Sequence, residues 1–267
     1  MAKMLPDLSD AQLAEVPSKA EVKVYLALKE FLSAEFIVFF QVGWILQRED
    51  EEARDGETDF LVCHPQFGFF TIEVKGGGVG FDAITGEWYS VDRHRQKHSI
   101  NNPIAQAMKA KYSIRTKLEE NRRWRESSLS RVLRGHAVFF PDLSNTDGLY
   151  RPDMPANLIG CSSDLLSIRA WVERVFSYWA NEGASWVPIG HRGLDVLREV
   201  FARSFVAMPL LATLLVEQET RRLVLTKDQL KVLDVLRKRR RVAVSGGAGT
   251  GKTVLAVEKA SVVFHIY

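Results

Sequence analysis

The segment Phe69-Phe70-Thr71-Ile72-Glu73-Val74-Lys75-Gly76 combines apolar and β-branched residues with two charges close to its end. Such a run predicts a buried strand, and the glycines Gly76-Gly77-Gly78 predict where the strand stops. Because side chains alternate along a strand with period two, we expect Glu73 and Lys75 on one face. The segment therefore predicts a core strand that carries a carboxylate and an ammonium group to its end.

A second apolar run, Thr58-Asp59-Phe60-Leu61-Val62, precedes this segment, and the turn residues 64–68 separate the two runs. Antiparallel pairing across that turn would bring Asp59 beside Glu73. Charged groups at the ends of core strands are costly unless they are paired or functional. We therefore expect two carboxylates and one ammonium group to converge at an edge of the sheet.

This trio suits a particular chemistry. Hard oxygen ligands such as those of Asp59 and Glu73 suit Mg²⁺ (or Mn²⁺), which keeps several waters and accepts phosphate oxygens of a substrate. Lys75 could orient or deprotonate an attacking water and offset the charge that develops on a phosphodiester. The pattern favours metal-dependent hydrolysis of a nucleic-acid backbone. Glu-x-Lys also occurs on exposed strands as a cross-strand charge pair, so a solvated hairpin is the alternative.

Four parts of the chain resemble one known family: Glu21 on a predicted helix and the segments 57–62, 69–76 and 102–107. Together they are similar to the nuclease-related domain (NERD), a branch of the PD-(D/E)XK restriction-endonuclease-like fold, over about residues 18–118. The resemblance implies an α/β fold with a mixed sheet flanked by helices. One departure is Thr58, which stands where the name-giving proline of the wider fold would be.

The resemblance also implies roles for individual residues. It makes Asp59 and Glu73 metal ligands, with a catalytic set of Glu21, Asp59, Glu73, Lys75 and Gln106. Two members of this set have alternatives. The pattern Ser18-x-x-Glu21 also fits a capping box, in which Glu21 closes the start of its helix. Gln106, on the helix after Asn102-Pro103, could equally be a surface glutamine.

A phosphate-binding loop, G-x-x-x-x-G-K-T, occupies residues 246–253 between a predicted strand and a predicted helix. In such a loop backbone N–H groups surround phosphate oxygens, Lys252 reaches the β and γ phosphates and Thr253 holds Mg²⁺. With Gln229 upstream, the region resembles the start of a superfamily 1 DNA helicase, in which that glutamine contacts adenine. The expected nucleotide-binding residues are Gln229, Gly246, Gly249, Gly251, Lys252 and Thr253.

A working P-loop ATPase needs a surrounding parallel sheet and an acidic metal partner on another strand. Residues 254–267 offer neither, since their one carboxylate, Glu258, lies on the loop's own helix. We therefore expect residues 221–267 to be an incomplete P-loop (RecA-like) fragment. ATP is expected to bind only together with the rest of the helicase core.

DNA would need a basic approach to the candidate nuclease site, and the predicted helix from Ile104 to Leu118 is rich in cations. The cations on this helix and just after it are Lys109, Lys111, Arg115, Lys117, Arg122, Arg123, Arg125, Arg131 and Arg134. As a cluster they favour DNA as the partner. For any single residue, a solvated helix face is the alternative.

The predicted organisation has four parts: a leader (1–17), the nuclease-like domain (18–205, with its core at 18–125), a linker (206–220) and the helicase start (221–267). The chain has 46% hydrophobic and 26% charged residues, which are ordinary values for a globular protein. Cys63 and Cys161 are expected as reduced core residues. Without an apolar run long enough for a secretory leader or a membrane span, a cytoplasmic location is expected.

Two functional hypotheses follow from the sequence. In the first, the chain is a Mg²⁺-dependent DNA nuclease module of a nuclease–helicase protein that serves repair, restriction or defence. In the second, the domain binds DNA or ATP as an accessory of a helicase, without nuclease activity, or is an inactive truncated fragment. The roles of Glu73 and Lys75 distinguish the two.

Overall fold

The computed structural model describes residues 1–46, 54–92, 94–182 and 185–203, together with Lys231, Arg241, Ala243, Ser245 and Lys252. Contacts between Cα atoms divide the chain into two compact units, Met1–Ser204 and Phe205–Tyr267. All helices and strands with defined bounds belong to the first unit.

The first unit contains nine strands and six α-helices among the described residues. The strands are β1 (Lys3–Leu5), β2 (Ile37–Leu46), β3 (Arg54–Cys63), β4 (Gly68–Val74), β5 (Gly78–Asp82), β6 (Glu87–Val91), β7 (Lys97–Ile100), β8 (Leu133–Phe140) and β9 (Ile159–Cys161). The α-helices are α1 (Asp10–Glu15), α2 (Lys19–Phe31), α3 (Pro103–Glu120), α4 (Arg122–Arg125), α5 (Ile168–Glu182) and α6 (Gly190–Phe201).

Six strands form one mixed sheet in the order β1-β2-β3-β4-β8-β9. The pairs β2–β3 and β3–β4 are antiparallel, whereas β1–β2, β4–β8 and β8–β9 are parallel. The remaining three strands form a separate antiparallel sheet, β5-β6-β7, between β4 and α3 in the chain. The mixed α/β architecture predicted from the sequence is confirmed for this unit.

Helices cover both faces of the large sheet. On one face, side chains of α1, α2 and α5 pack against Phe60, Phe70 and Phe139. On the other face, α3, α4 and α6 pack against Leu61 and Phe69. Strand β4 is buried along its whole length, because it lies between β3 and β8 and is covered on both sides. This position explains why its sequence is nearly continuous in apolar residues.

Helix starts follow the capping signals of the sequence. Ser18 caps α2, where its side chain accepts a hydrogen bond from the backbone N–H of Glu21. Asn102 caps α3, where its Oδ1 accepts from the N–H groups of Ile104 and Ala105, and Pro103 occupies the first turn. The start of α3, which packs on the sheet face near β4 and β8, is therefore encoded at its first residues.

The structure differs from the sequence prediction at the N-terminus. Residues 1–17 were expected to be a leader, but β1 pairs in parallel with β2, and Leu13 and Val16 are buried in the core. A three-residue strand has no periodicity of its own, so its partner thirty residues later cannot be recognised from local sequence. The first domain therefore includes these residues.

Other boundaries also differ. Residues 86–89, whose sequence fits a further strand beyond the glycines, fall in β6 and the turn before it, whereas β5 and β7 have no counterpart among the predicted strands. The helical spacing of Val22, Tyr25, Leu26 and Leu32 favours one apolar face on α2, but Leu26 turns to solvent, where it is 46% exposed. Cys63 and Cys161 are buried free thiols, as predicted. Burial raises the pKa of the Cys63 thiol well above its usual value.

Close contact between β4 and β8 makes Gly68 sensitive to substitution. A Cβ atom on Gly68 would lie 2.0 Å from the backbone oxygen of Leu133, which cannot move without shifting β8. We predict that Gly68→Ala costs about 1–3 kcal/mol of unfolding free energy, measurable as a lower Tm in thermal denaturation. Gly43→Ala is the matched control, because its Cβ would meet nothing closer than 4.0 Å. An equal Tm for the two variants would contradict the prediction.

Candidate active site

Strands β3 and β4 separate at Asp59 and Glu73. Their recorded register ends at the pair Phe60–Ile72, so these two acidic residues come next on either strand. Beyond the last pair, the N–H of Val74 donates to Oδ2 of Asp59 at 2.6 Å. The carboxylate of Asp59 thus takes the place of a backbone acceptor. This bond holds the Asp59 side chain against the end of β4.

The ladder between β2 and β3 is also interrupted at Asp59. Phe40 pairs with Phe60 and Val42 pairs with Thr58, but the pair that would lie between them, Gln41 and Asp59, is absent from the register. Gln41 has a φ of 51°, a left-handed conformation that is uncommon for a residue other than glycine. Such strained residues concentrate at functional sites. Asp59 therefore lies where its strand is unpaired on both sides.

Glu73 is a buried carboxylate with one cationic partner. Its residue is 5% exposed, and its Oε1 accepts a hydrogen bond from Nζ of Lys75 at 2.7 Å. The ion pair confirms that Glu73 and Lys75 share a face of β4, as period-two alternation requires. The side chain of Lys75 is only partly covered, so its ammonium group can contact a ligand while it stays bonded to Glu73.

Burial and nearby negative charge raise the pKa of both carboxyl groups. Burial, followed by the charge of Glu73, raises the pKa of Asp59 to about 8. For Glu73, burial raises the pKa, and the neighbouring Lys75 only partly opposes this effect. Glu21 adds negative potential at both groups, and Glu57 adds it at Glu73. Negative charge exceeds positive charge here, and a bound cation would relieve the imbalance.

The structure distinguishes between the two interpretations of Glu21. Ser18 accepts from the backbone N–H of Glu21 at 3.3 Å, so Ser18 caps the helix. The Glu21 carboxylate does not complete the box; instead, its Oε2 accepts from Nε2 of Gln41 at 3.1 Å. Glu21 thus points toward the interruption in the ladder beside Asp59. Gln41, with its left-handed φ, therefore connects Glu21 with the interrupted ladder beside Asp59.

Gln106 lies in the first turns of α3, and its residue is half-buried. Its Oε1 is buried and has no hydrogen-bond partner among the described residues. Next to it, the carbonyl of Ala107 accepts a hydrogen bond from Oγ1 of Thr71 at 2.8 Å. Because Thr71 and Glu73 share a face of β4, this bond places the start of α3 over the strand that carries Glu73. An unsatisfied buried amide oxygen is uncommon and calls for a ligand or a water.

Two residues that shape the site, Gln41 and Asp142, could not be recognised from a sequence signal. Oδ2 of Asp142 accepts from the N–H of Gly77 at 2.8 Å, and its Oδ1 pairs with Lys23. A side chain on Gly76 would collide with Ala20 of α2, since its Cβ would lie 2.9 Å from that of Ala20. The turn after Lys75 is therefore held against α2, close to Glu21.

The predicted basic residues do not form one free stripe. Several are engaged in exposed ion pairs: Arg115 with Glu119, Lys117 with Glu120, Arg122 with Glu126 and Arg123 with Glu199. Exposed pairs of this kind are worth about 0–1 kcal/mol, so a phosphate could displace them. Lys111, in contrast, is buried.

The predicted nucleotide-binding residues fall almost entirely outside the described part of the chain. This holds for Gln229, Gly246, Gly249, Gly251 and Thr253; of the set, only Lys252 is described. The P-loop therefore stays a prediction from sequence.

Comparison with known proteins identifies the domain that carries the site. Residues 17–141 match the family model of the nuclease-related domain (NERD). The chain thus contains a nuclease-related domain, and all five predicted catalytic residues lie within it. No curated protein and no solved structure matches the chain. The match implies a nuclease-related function and suggests DNA as a binding partner. In the described residues, no helix is long and apolar enough to cross a membrane.

The raised pKa of Asp59 predicts a pH-dependent stability. An acid whose pKa rises on folding stabilises the protein fully below its unfolded pKa, about 4, and loses that contribution as the pH rises toward its folded value of about 8. Without divalent cations, Asp59→Asn should therefore raise Tm more at pH 8 than at pH 5. The exposed Asp147→Asn is the control and should change Tm little at either pH. A gain for Asp59→Asn that does not depend on pH would contradict the prediction.

Proposed function

We propose that this chain is a metal-dependent DNA nuclease module that hydrolyses phosphodiester bonds at Asp59, Glu73 and Lys75. The observation that carries the proposal is the convergence of two carboxylates, of which Glu73 is buried, and one partly covered ammonium group where β3 and β4 separate. A structural ion pair needs only one carboxylate for one lysine. The second carboxylate, with its strongly raised pKa, is costly to the fold unless a cation or substrate uses it.

The donor set suits Mg²⁺ or Mn²⁺. One oxygen of each carboxylate is engaged, Oδ2 of Asp59 by Val74 and Oε1 of Glu73 by Lys75, and the second oxygen of each accepts no hydrogen bond from a described residue. In the described part of the chain, no group of three or more His, Cys, Asp or Glu side chains could hold a metal. Mg²⁺ does not need such a cage, since it keeps several waters and takes substrate phosphate oxygens as further ligands.

When bound, the metal ion would polarise the phosphodiester and lower the pKa of an attacking water. The chain's own residues would do the rest. Asp59 and Glu73 would hold the metal where β3 and β4 separate, and Lys75 would offset the negative charge that develops on the phosphate oxygens. The amide oxygen of Gln106 is available to orient a water or a ligand. Glu21, fixed by Gln41, adds to the negative potential that favours a cation.

The assignment to the PD-(D/E)XK fold belongs to the same proposal. It is supported by the resemblance in sequence and by a mixed sheet whose central strand ends in the charged residues. The wider fold has a proline where this chain has Thr58. The hydroxyl of Thr58 donates toward the carbonyls of Phe60 at 3.3 Å and Ile72 at 3.4 Å, which ties the middle of β3 to β4.

The fusion to a helicase is a further part of the proposal. It is supported by the P-loop at residues 246–253 and by Gln229 upstream. In this view the module cuts DNA that a superfamily 1 helicase moves, and ATP serves the helicase core. ATP binding by residues 221–267 would require the rest of that core.

One observation favours a second function, an accessory DNA-binding domain without cleavage. Lys75 already neutralises Glu73, and the described residues supply fewer than three clustered metal-ligating side chains. In that case the site is a structural remnant, and the basic residues near α3 provide the contact with DNA.

Cleavage of supercoiled and linear DNA in Mg²⁺ or Mn²⁺ separates the two functions. We predict that Glu73→Gln and Lys75→Met each lower the cleavage rate at least about 100-fold, because each removes an interaction that the transition state uses. Glu30→Gln, an exposed carboxylate on α2, is the control and should cleave like the wild type. Omission of divalent cations should abolish cleavage.

Folded wild-type protein that binds the DNA but cuts neither substrate would reject the nuclease and support the accessory function. Cleavage that survives in both variants would place the catalytic site elsewhere. Circular dichroism and Tm values for each variant separate loss of chemistry from loss of fold.

A further inference from the structure

A cavity of about 390 Å³ lies at the end of β4 and β8 that is opposite the candidate active site. It opens between α3, the residues that lead into β8 and the end of α5. Its lining residues are Lys111, Tyr112, Ser130, Arg131, Val132, Leu133, Arg134, Trp179, Glu182, Ser185 and Trp186. Arg134 pairs with Phe69, whereas Val138 pairs with Glu73. Four residues at about 3.3 Å each separate the two levels by roughly 13 Å, so the cavity is distinct from the candidate active site.

Lys111 is the most unusual residue of this cavity. It is only 6% exposed, yet it forms no hydrogen bond and no ion pair with any residue that the structure describes. Its ammonium group instead lies over two aromatic rings, 4.5 Å from the ring centre of Trp179 and 4.6 Å from that of Tyr112. Burial, together with Arg134, lowers the pKa of Lys111 to about 8. A buried cation without an anion is costly to the fold.

Arg134 is a second cation of this cavity that lacks an anionic partner. It is half-buried, and it too has no ion pair within the described ranges. Burial and the nearby Arg115 lower its pKa. Arg131 lies on the wall and donates to Oγ of Ser185 at 3.3 Å. Among the described lining residues, the only carboxylate is that of Glu182, so cations outnumber carboxylates three to one.

The neighbouring His136 does not supply the missing anion. Burial and the charge of Lys111 lower the pKa of this histidine to about 3, so it is neutral at physiological pH. Its backbone oxygen accepts from Nε1 of Trp179 at 3.0 Å, which fixes the indole at the cavity wall. Positive charge and a rigid aromatic surface thus stand side by side.

A phosphate group would balance the excess positive charge of the cavity. Arginine and lysine both bind phosphate oxygens strongly, arginine through two parallel N–H groups. Aromatic side chains beside such cations bind bases by stacking, and Glu182 can accept a hydrogen bond from a sugar hydroxyl or a base amino group. The volume falls within the range of small-ligand sites, about 300–1,000 Å³.

We propose that this cavity binds one nucleotide, with the phosphate on Lys111 and Arg134 and the base or sugar against Trp179 and Trp186. The nucleotide is either free or the 5′-phosphorylated end of a nucleic-acid strand. Its binding does not depend on the proposed nuclease activity, because none of the candidate catalytic residues lines the cavity.

Binding is tested on the full chain, without divalent cations, so that cleavage plays no part. The probes are thymidine 5′-monophosphate, thymidine, inorganic phosphate and a short single strand with or without a 5′-phosphate. The readouts are tryptophan fluorescence and Tm. We expect the monophosphate or the 5′-phosphorylated strand to raise Tm and to change the fluorescence, and thymidine to do neither. Response to the free monophosphate indicates a free nucleotide as ligand, and response to the phosphorylated strand alone indicates a strand end.

Two variants test the cations. Lys111→Met and Arg134→Gln should each weaken binding at least tenfold, and Lys3→Met, an exposed lysine on β1, should leave binding unchanged. Without ligand, Lys111→Met should also raise Tm by a few degrees, since it removes a buried, unpaired charge. That gain shows the variant to be folded. Arg134→Gln, at a half-buried position, gives an independent test of binding.

Several outcomes would overturn the proposal: no response to any phosphate-bearing probe, equal binding by the Lys111→Met variant and the wild type, or equal affinity for strands with and without the 5′-phosphate in the absence of mononucleotide binding. Equal affinity for inorganic phosphate and the monophosphate would also overturn it, because the aromatic walls would then contribute nothing.

Discussion

The complete burial of β4 is the constraint from which the other features of this domain follow. A strand between two neighbours, with helices on both faces, cannot expose a polar group along its length. Its charged residues are therefore confined to its end, where β3 has already separated from it. There the N–H of Val74 still needs an acceptor, and the carboxylate of Asp59 provides one at 2.6 Å. The bond that satisfies the strand end is thus the same one that positions a candidate metal ligand.

The two ends of β4 carry opposite electrostatic imbalances. At the end of the strand, Asp59 and Glu73 share one ammonium group, and burial raises the pKa of both carboxyl groups. Near the start, Lys111 and Arg134 form no ion pair with a described residue, and burial lowers the pKa of both groups. Each imbalance reduces the stability of the fold. Sites that bind charged ligands have this property, since the ligand supplies the missing charge.

Part of this arrangement could be predicted from sequence. The apolar run that ends in Glu-x-Lys predicted β4 and its charged end, because alternation and burial are local properties of a strand. The partner Asp59 followed from the short turn between two such runs. The conformation and role of Gln41 could not be predicted, because a glutamine within an apolar run does not indicate a left-handed φ. Lys111 was predicted only as one cation of a basic helix; its burial depends on Trp179, which is 68 residues away in the chain. Contacts at such distances arise from the tertiary fold.

Helix α3 links the two candidate sites through its position on β4. Gln106 and Lys111 are five residues apart, or about 7.5 Å along the helix axis. One helix therefore contributes a residue to the candidate active site and another to the cavity. The cap at Asn102 sets where the helix begins, and the bond from Thr71 to the carbonyl of Ala107 ties the helix to the strand. Thr71 is fully buried, and its hydroxyl would otherwise lack a partner in the core. Because Thr71 lies two residues before Glu73, a shift of α3 that broke this bond would displace Gln106 from one site and Lys111 from the other.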